Sequence, residues 1–132
     1  GPDYVNAAAV VESPLEADEL LALLHDVEAK FGRARSSRWA GRPLDIDLIG
    51  GDGLVLPDLK TYAHWRDLSL ERQMQETPDQ LILPHPRLQD RAFVLVPLND
   101  VAPGWKHPVS GVSVAKMLEA LPETDRKAVK PL

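Results

Sequence analysis

The sequence predicts an α+β fold, on two kinds of hydrophobic periodicity and on the turn residues that separate them. Asp3–Glu12, Leu44–Ile49 and Arg91–Leu98 are rich in apolar residues that sort onto opposite faces at a period of two, as strands do. Leu20, Leu23, Leu24, Val27 and Phe31, and later Val114, Met117, Leu118 and Leu121, recur at helical spacing instead. Ser13-Pro14, Gly50-Gly51-Asp52-Gly53, Pro57 and Pro122 stand at the boundaries between these stretches.

In the first element, Tyr4, Asn6, Ala8 and Val10 share one strand face and Val5, Ala7, Ala9 and Val11 the other. Ser13-Pro14-Leu15-Glu16 predicts a helix start, with Ser13 as cap, Pro14 in the first turn and Glu16 returning the capping bond. Gly32 is suited to end that helix in a left-handed conformation and to deliver Arg33 into a loop. Leu44–Ile49 then runs into the glycine-rich turn, from which Leu54-Val55-Leu56 can return as a hairpin partner before Pro57 stops it.

Residues 58–80 are polar and charged, with a short helix predicted at Ser69–Glu76 and Thr77 pushed from helical geometry by Pro78. The segment exceeds a usual connector and is read as a surface insertion, with a lid as the other reading. In the predicted strand Arg91–Leu98, Arg91, Phe93 and Leu95 share one face, so that a cation and an aromatic line up together. Ser113–Leu121 is an amphipathic helix with Val114, Met117, Leu118 and Leu121 inward, and 123–132 reads as a loose, flexible tail.

Composition fits one small domain: 132 residues, 44% hydrophobic, with neither a membrane-length apolar run nor a visible signal peptide. The chain has no cysteine, which excludes a disulfide scaffold and thiolate metal sites and is compatible with a cytoplasmic protein. A net charge of −5 argues against a nucleic-acid surface. Arg33, Arg35, Arg38 and Arg42 form a local exception that matches one nucleotide triphosphate better than a polymer, since a guanidinium fork suits bidentate phosphate binding.

These arginines precede the most informative stretch, Leu44-Asp45-Ile46-Asp47-Leu48. In an extended chain Asp45 and Asp47 emerge on the same side, roughly 6–7 Å apart, while Leu44, Ile46 and Leu48 face the core. Two acids so placed repel unless a proton or cation lies between them, and one or two carboxylates suit Mg²⁺ that keeps waters and substrate phosphates. Taken alone, this pattern also describes a strand with one solvated face.

Three segments in chain order, P-D-Y-V-N-A-A at 2–8, R-W-x-G-R-x-L-D-I-D-L at 38–48 and P-H-x-x-x-x-x-R-x-F at 84–93, resemble the 6-hydroxymethyl-7,8-dihydropterin pyrophosphokinase family. The resemblance covers most of residues 2–119, apart from an insertion at about 59–80. It implies a ferredoxin-like sandwich, a mainly antiparallel sheet packed by helices, occupying 1–122. It further implies transfer of diphosphate from ATP to 6-hydroxymethyl-7,8-dihydropterin, yielding AMP, in folate biosynthesis, with neighbouring folate-pathway enzymes as candidate partners and no nucleic acid or membrane. The family's opening strand, helix and second strand have no counterpart here, so the chain is expected to be part of a longer protein.

By the same resemblance, Asp45 and Asp47 would hold two Mg²⁺ ions that bridge the ATP phosphates. Arg33 and Arg42 would stand at the two ends of a catalytic loop, with Arg35 and Arg38 adding phosphate contacts and Trp39 helping to close the site over the pterin. Leu21, His25 and Glu28 match helix positions near the nucleotide, and His85 and Arg91 match ATP-binding positions. Tyr4 and Phe93 would sandwich the pterin ring, with Asn6 reading its edge. The chain departs from the family pattern in having Pro86 after His85 where tyrosine is frequent, and Ala40-Gly41-Arg42 where Gly-Pro-Arg is common. Readings from other classes are a non-catalytic ferredoxin-like binding or regulatory module and a two-metal phosphodiesterase, which would usually need more ligands than this strand supplies.

Overall fold

The computed structural model describes residues 4–34 and 44–132, and the chain divides into two compact units, Glu12–Leu48 and the pair Gly1–Val11 with Ile49–Leu132. The described residues are mainly helical. Isolated antiparallel bridges, Leu56 with Leu83 and Lys106 with Ser113, take the place of strand ladders among them. None of the described helices is long and apolar enough to cross a membrane.

The unit Glu12–Leu48 is built on helix α1, Ala17–Ala34. It starts later than Ser13-Pro14 predicts. Ser13 Oγ accepts from Leu15 N at 3.1 Å and closes a local turn, while Glu19 Oε1 reaches back to Glu16 N at 3.2 Å and the Glu16 carbonyl takes the first helical bond, from Leu20 N at 2.9 Å. Glu16 therefore caps the helix, in the half of a capping box that the third-residue glutamate supplies. Gly32 does not end it, because the helix runs on to Ala34 and Gly32 keeps an ordinary φ. Glycine permits a left-handed end but does not oblige one, and inside a helix it costs only about 1 kcal/mol against alanine.

The expected inner stripe of α1 is rotated. Leu20, Leu24 and Val27 are half-buried together with Ala17, Leu21 and Glu28, whereas Leu23 and Phe31 are 48% and 53% exposed. The rotation brings Glu28 inward, where its Oε2 accepts from Ile46 N at 2.6 Å. Exposure alternates along the segment so anchored: Leu44, Ile46 and Leu48 are half-buried and Asp45 and Asp47 exposed. The expected two-faced pattern is present without a strand ladder.

The second unit packs around Leu88, Leu95, Val114 and Met117, with Ile49, Val94, Leu98, Trp105, Val112, Leu118 and Leu121 against them. Asp52 and Gly53, at φ 55° and 69°, form the expected tight turn, closed by Leu54 N to Gly51 O at 3.0 Å. Its returning arm does not pair as the predicted hairpin. Leu56 instead exchanges both backbone bonds with Leu83, at 2.8 and 3.1 Å, and the Ile49 carbonyl accepts from His85 N at 2.8 Å. A close approach explains Gly50, whose added Cβ would meet the Trp105 ring at 3.0 Å.

The 58–80 segment holds two helices, α2 (Leu59–Asp67) and α3 (Leu70–Gln75). Asp58 Oδ1 caps α2 through Thr61 N at 2.7 Å, and Ser69 Oγ caps α3 through Arg72 N at 3.2 Å. Gln73 Nε2 ties α3 to the Trp65 carbonyl of α2 at 2.8 Å. α2 is not a surface ornament, since it sinks Tyr62 to 0% exposure.

Residues 91–98 are helical rather than extended: α4 spans Ala92–Val101, begins beyond Arg91 and contains Pro97. A short apolar run does not distinguish strand from helix by itself, and burial decides here. Ala92 and Leu95, one turn apart, are buried, and Leu98 continues the same inner line, whereas Phe93 is 45% exposed. α5 (Val114–Glu119) follows as expected, with Ser113 Oγ accepting from Lys116 N at 3.2 Å and Val114 and Met117 buried. The segment expected as a loose tail opens with α6, Glu123–Ala128, which packs on α4 and carries a Lys127–Glu123 pair at 2.9 Å.

Tyr62 Oη lies 3.1 Å from Nε2 of His107, which is itself buried. His107 Nδ1 accepts from Val109 N at 3.1 Å and Ser110 N at 3.4 Å, so the neutral ring carries its proton on Nε2 and donates it to Tyr62. Burial, and then the nearby Arg66 cation, push the imidazole below its ordinary value of 6.5, and burial raises the Tyr62 phenol.

A folded-state value below the unfolded one means that the unfolded chain takes the proton first. The contribution of His107 is complete above about 6.5 and declines as pH falls from there toward the folded value, by up to about 1.4 kcal/mol per pH unit. Urea unfolding at about pH 7.5 and about pH 5.5 should show this loss in the native chain and a smaller one in His107→Asn, which keeps an acceptor but binds no proton. Equal losses in the two proteins would remove His107 from the account.

Candidate active site

In the α1 unit the acids stand as their spacing predicts, exposed together on one side of the chain, with the aliphatic residues that alternate with them turned inward. The Glu28–Ile46 bond holds the backbone midway between Asp45 and Asp47, so α1 fixes the segment that presents both carboxylates. Glu28 thus acts on the acids through the backbone. Leu21 and His25 lie on the same helix at one-turn intervals from it, Leu21 half-buried and His25 exposed. Arg33 belongs to the last turn of α1. Arg35, Arg38, Trp39 and Arg42 lie outside the described residues.

No group of three or more His, Asp or Glu side chains suited to a metal occurs among the described residues. Two exposed carboxylates fit a hard cation that completes its sphere with water and ligand oxygens, as Mg²⁺ does at phosphate sites, and do not fit a closed structural site.

In the other unit, Arg91 lies over the Phe93 ring, its guanidinium carbon 5.6 Å from the centroid. The helix brings them together as the strand reading also required, but by a different route: Arg91 stands at the N-terminal boundary of α4 and Phe93 in its first turn. Both line an open cavity of about 400 Å³ with Asp90, Asp125, Ala128 and Val129. Asp125 and its neighbours come from α6, so the supposed tail supplies part of the wall. His85 sits in the turn before this helix, its Nδ1 accepting from Arg87 N at 3.1 Å, which places the neutral ring's proton on Nε2.

Tyr4 and Asn6 lie in an extended, exposed stretch, Tyr4 at 83%. No ring contact joins Tyr4 to Phe93 among the described residues. Sequence reasoning missed Tyr62, His107 and Asp125. The cap pattern Asp58-x-x-Thr61 before an aromatic was the available signal for Tyr62; nothing local marked Asp125 as part of a cavity.

Two exposed carboxylates on a tethered extended segment suit a hard cation, and, separately, an arginine laid over an exposed aromatic sets a cation beside a flat apolar face. The family described as 7,8-dihydro-6-hydroxymethylpterin-pyrophosphokinase matches residues 1–103. A 2-amino-4-hydroxy-6-hydroxymethyldihydropteridine pyrophosphokinase of Synechocystis is 37% identical over 131 residues, covering 99% of this chain and 55% of that protein. One of the same name from Pseudomonas aeruginosa is 34% identical over 123 residues, covering 92% of this chain and 62% of its own length. The folic acid synthesis protein fol1 of Pneumocystis carinii is 29% identical over 130 residues, 98% of this chain but 15% of that protein. The chain belongs to the 7,8-dihydro-6-hydroxymethylpterin-pyrophosphokinase family, and it spans about half the length of the Synechocystis relative.

The Glu28 tether is directly testable. A hydrogen bond to a charged acceptor contributes about 1.5–3 kcal/mol, so Glu28→Ala should speed amide exchange at Ile46 by roughly tenfold or more. Glu28→Gln, which keeps an acceptor oxygen, should speed it less. Unchanged Ile46 exchange in Glu28→Ala would show that the segment is held by other contacts.

Proposed function

We propose that the protein transfers diphosphate from ATP to the hydroxymethyl oxygen of 6-hydroxymethyl-7,8-dihydropterin, releasing AMP, as a cytoplasmic step of folate synthesis. The observation that carries this reading is the exposed Asp45–Asp47 pair on its tethered segment in a chain of this family. In this reading residues 1–122 form the catalytic domain on a ferredoxin-like core, to which α2 and α3 are added.

Asp45 and Asp47 would hold Mg²⁺, two ions in the fullest form of the proposal, and the metal would neutralise phosphate charge that otherwise repels the incoming oxygen. The remaining work falls to this chain's own groups. Arg91 and His85 bind nucleotide phosphate or ribose oxygens, and Arg33, Arg35, Arg38 and Arg42 add cationic contacts around the transferred group. Phe93 offers its open face to the pterin, with Tyr4 opposite, Asn6 at the ring edge and Trp39 closing over it. The attack is in line, no covalent enzyme intermediate forms, and positioning with charge stabilisation supplies most of the rate.

Asp45→Asn and Asp47→Asn should each lower AMP release by several orders of magnitude in the intact protein while leaving its unfolding midpoint nearly unchanged, because both side chains are exposed. Near-normal turnover in both variants would rule out the metal role. Phe93→Ala should weaken pterin binding by about 1–3 kcal/mol and that of an ATP analogue much less. Calorimetry of each ligand separately makes the distinction, and equal losses would assign Phe93 to packing instead.

A further inference from the structure

A second cavity, of about 300 Å³, lies beneath α2 against the 107–112 loop and α5, and none of the residues placed at the ATP, pterin or metal sites lines it. Its volume stands at the lower end of the range for small-molecule sites. Val112 and Met117 give it an apolar wall, and its polar lining is cationic or neutral, with Arg66 and Lys116 as charges and no carboxylate.

Three of its polar groups have capacity to spare. Gln89 donates through Nε2 to the Pro86 carbonyl at 2.8 Å, but its Oε1 is buried without a hydrogen-bond partner, an arrangement that costs free energy until a donor arrives. Arg66 lies over the Tyr62 ring at 5.7 Å and binds Asp67 through Nε and Nη2, at 2.9 and 3.1 Å, leaving Nη1 outside that pair. Lys116 is exposed and makes no ion pair among the described residues. Tyr62 and His107, locked to each other, form a fixed aromatic wall between them.

We propose that this cavity binds a small organic anion with a flat or short apolar body and one N–H or O–H donor. The anionic group meets Arg66 and Lys116 at the rim, the body lies along Val112, Met117 and the Tyr62–His107 wall, and the donor satisfies Gln89 Oε1 once that side chain turns its buried oxygen into the cavity. Charge complementarity selects the class: Asp67 already offsets part of the Arg66 charge, but an uncharged ligand leaves Lys116 and the free Nη1 edge of Arg66 unused, and a cation meets like charge. The site is independent of the diphosphate-transfer reading, since it uses none of the residues placed there.

Anilinonaphthalene sulfonate has the required aromatic body, anion and N–H, and serves as the probe in fluorescence titration of the full chain, beside its uncharged relative phenylnaphthylamine. One saturable site is expected, weakened at least tenfold by Lys116→Glu and by Ala120→Phe, which narrows the cavity from an exposed position. Gln89→Leu should weaken it less, and Lys116→Glu should leave phenylnaphthylamine binding unchanged. Circular dichroism and the unfolding midpoint confirm that each variant is folded. Sulfonate binding that is indifferent to both Lys116→Glu and Ala120→Phe, or equal loss of the uncharged probe in Lys116→Glu, would overturn the proposal, because dye on the exposed apolar stretch around Val5 and Val10 would behave in that way.

Discussion

Burial of Leu95 between Leu88 and the Val114–Met117 face of α5 is the contact on which the larger unit depends. It makes residues 92–101 a helix and sets which way that helix is turned. With Ala92 and Leu95 committed inward, Phe93 is left outward at the first turn, and Arg91 stands at the boundary where its guanidinium reaches the ring. The same helix receives α6, so the cavity at Arg91 and Phe93 acquires a wall from the end of the chain. One packing decision thus fixes a core, a cation–aromatic pair and the surroundings of that pair.

In the smaller unit the corresponding constraint is the polar contact of Glu28 with Ile46. Glu28 projects from the inner side of α1 to the amide of Ile46, and the aliphatic residues on either side of that amide are half-buried. An extended segment without a ladder must satisfy its backbone groups by other means, and a carboxylate is a strong acceptor for one of them. The two outward acids follow from the period of two.

Residues 58–80 show how an addition becomes structural. Asp58 and Ser69 cap two short helices that propensity alone would leave marginal, and Tyr62 then makes α2 part of the core through His107. A buried phenol and a buried imidazole are tolerated because each meets the other and the imidazole's second nitrogen meets backbone N–H groups. The arrangement holds only while the ring is neutral. It also leaves beside α2 a cavity with a cationic rim, unrelated to the residues that the family resemblance singles out.

The sequence by itself determined what local chemistry and short-range periodicity dictate: the existence of α1, the α3 and α5 helices, the Asp52-Gly53 turn, the alternation that exposes Asp45 and Asp47, and the motifs that mark the family. Each rests on residues within a few positions of one another. Tertiary structure decided the rest. A short apolar run such as 91–98 fits either period, and Val114 and Met117, distant in sequence, select the helix by packing on Leu95. Leu56 has the choice of a hairpin partner nearby or of Leu83, and the backbone pair it makes crosses the whole insertion. The rotation of α1 that exposes Leu23 and Phe31 and turns Glu28 inward, the docking of Tyr62 on His107, and the arrival of Asp125 at the Arg91–Phe93 cavity are likewise long-range choices. Their energies belong to pairs of segments, so no window along either segment alone contains them.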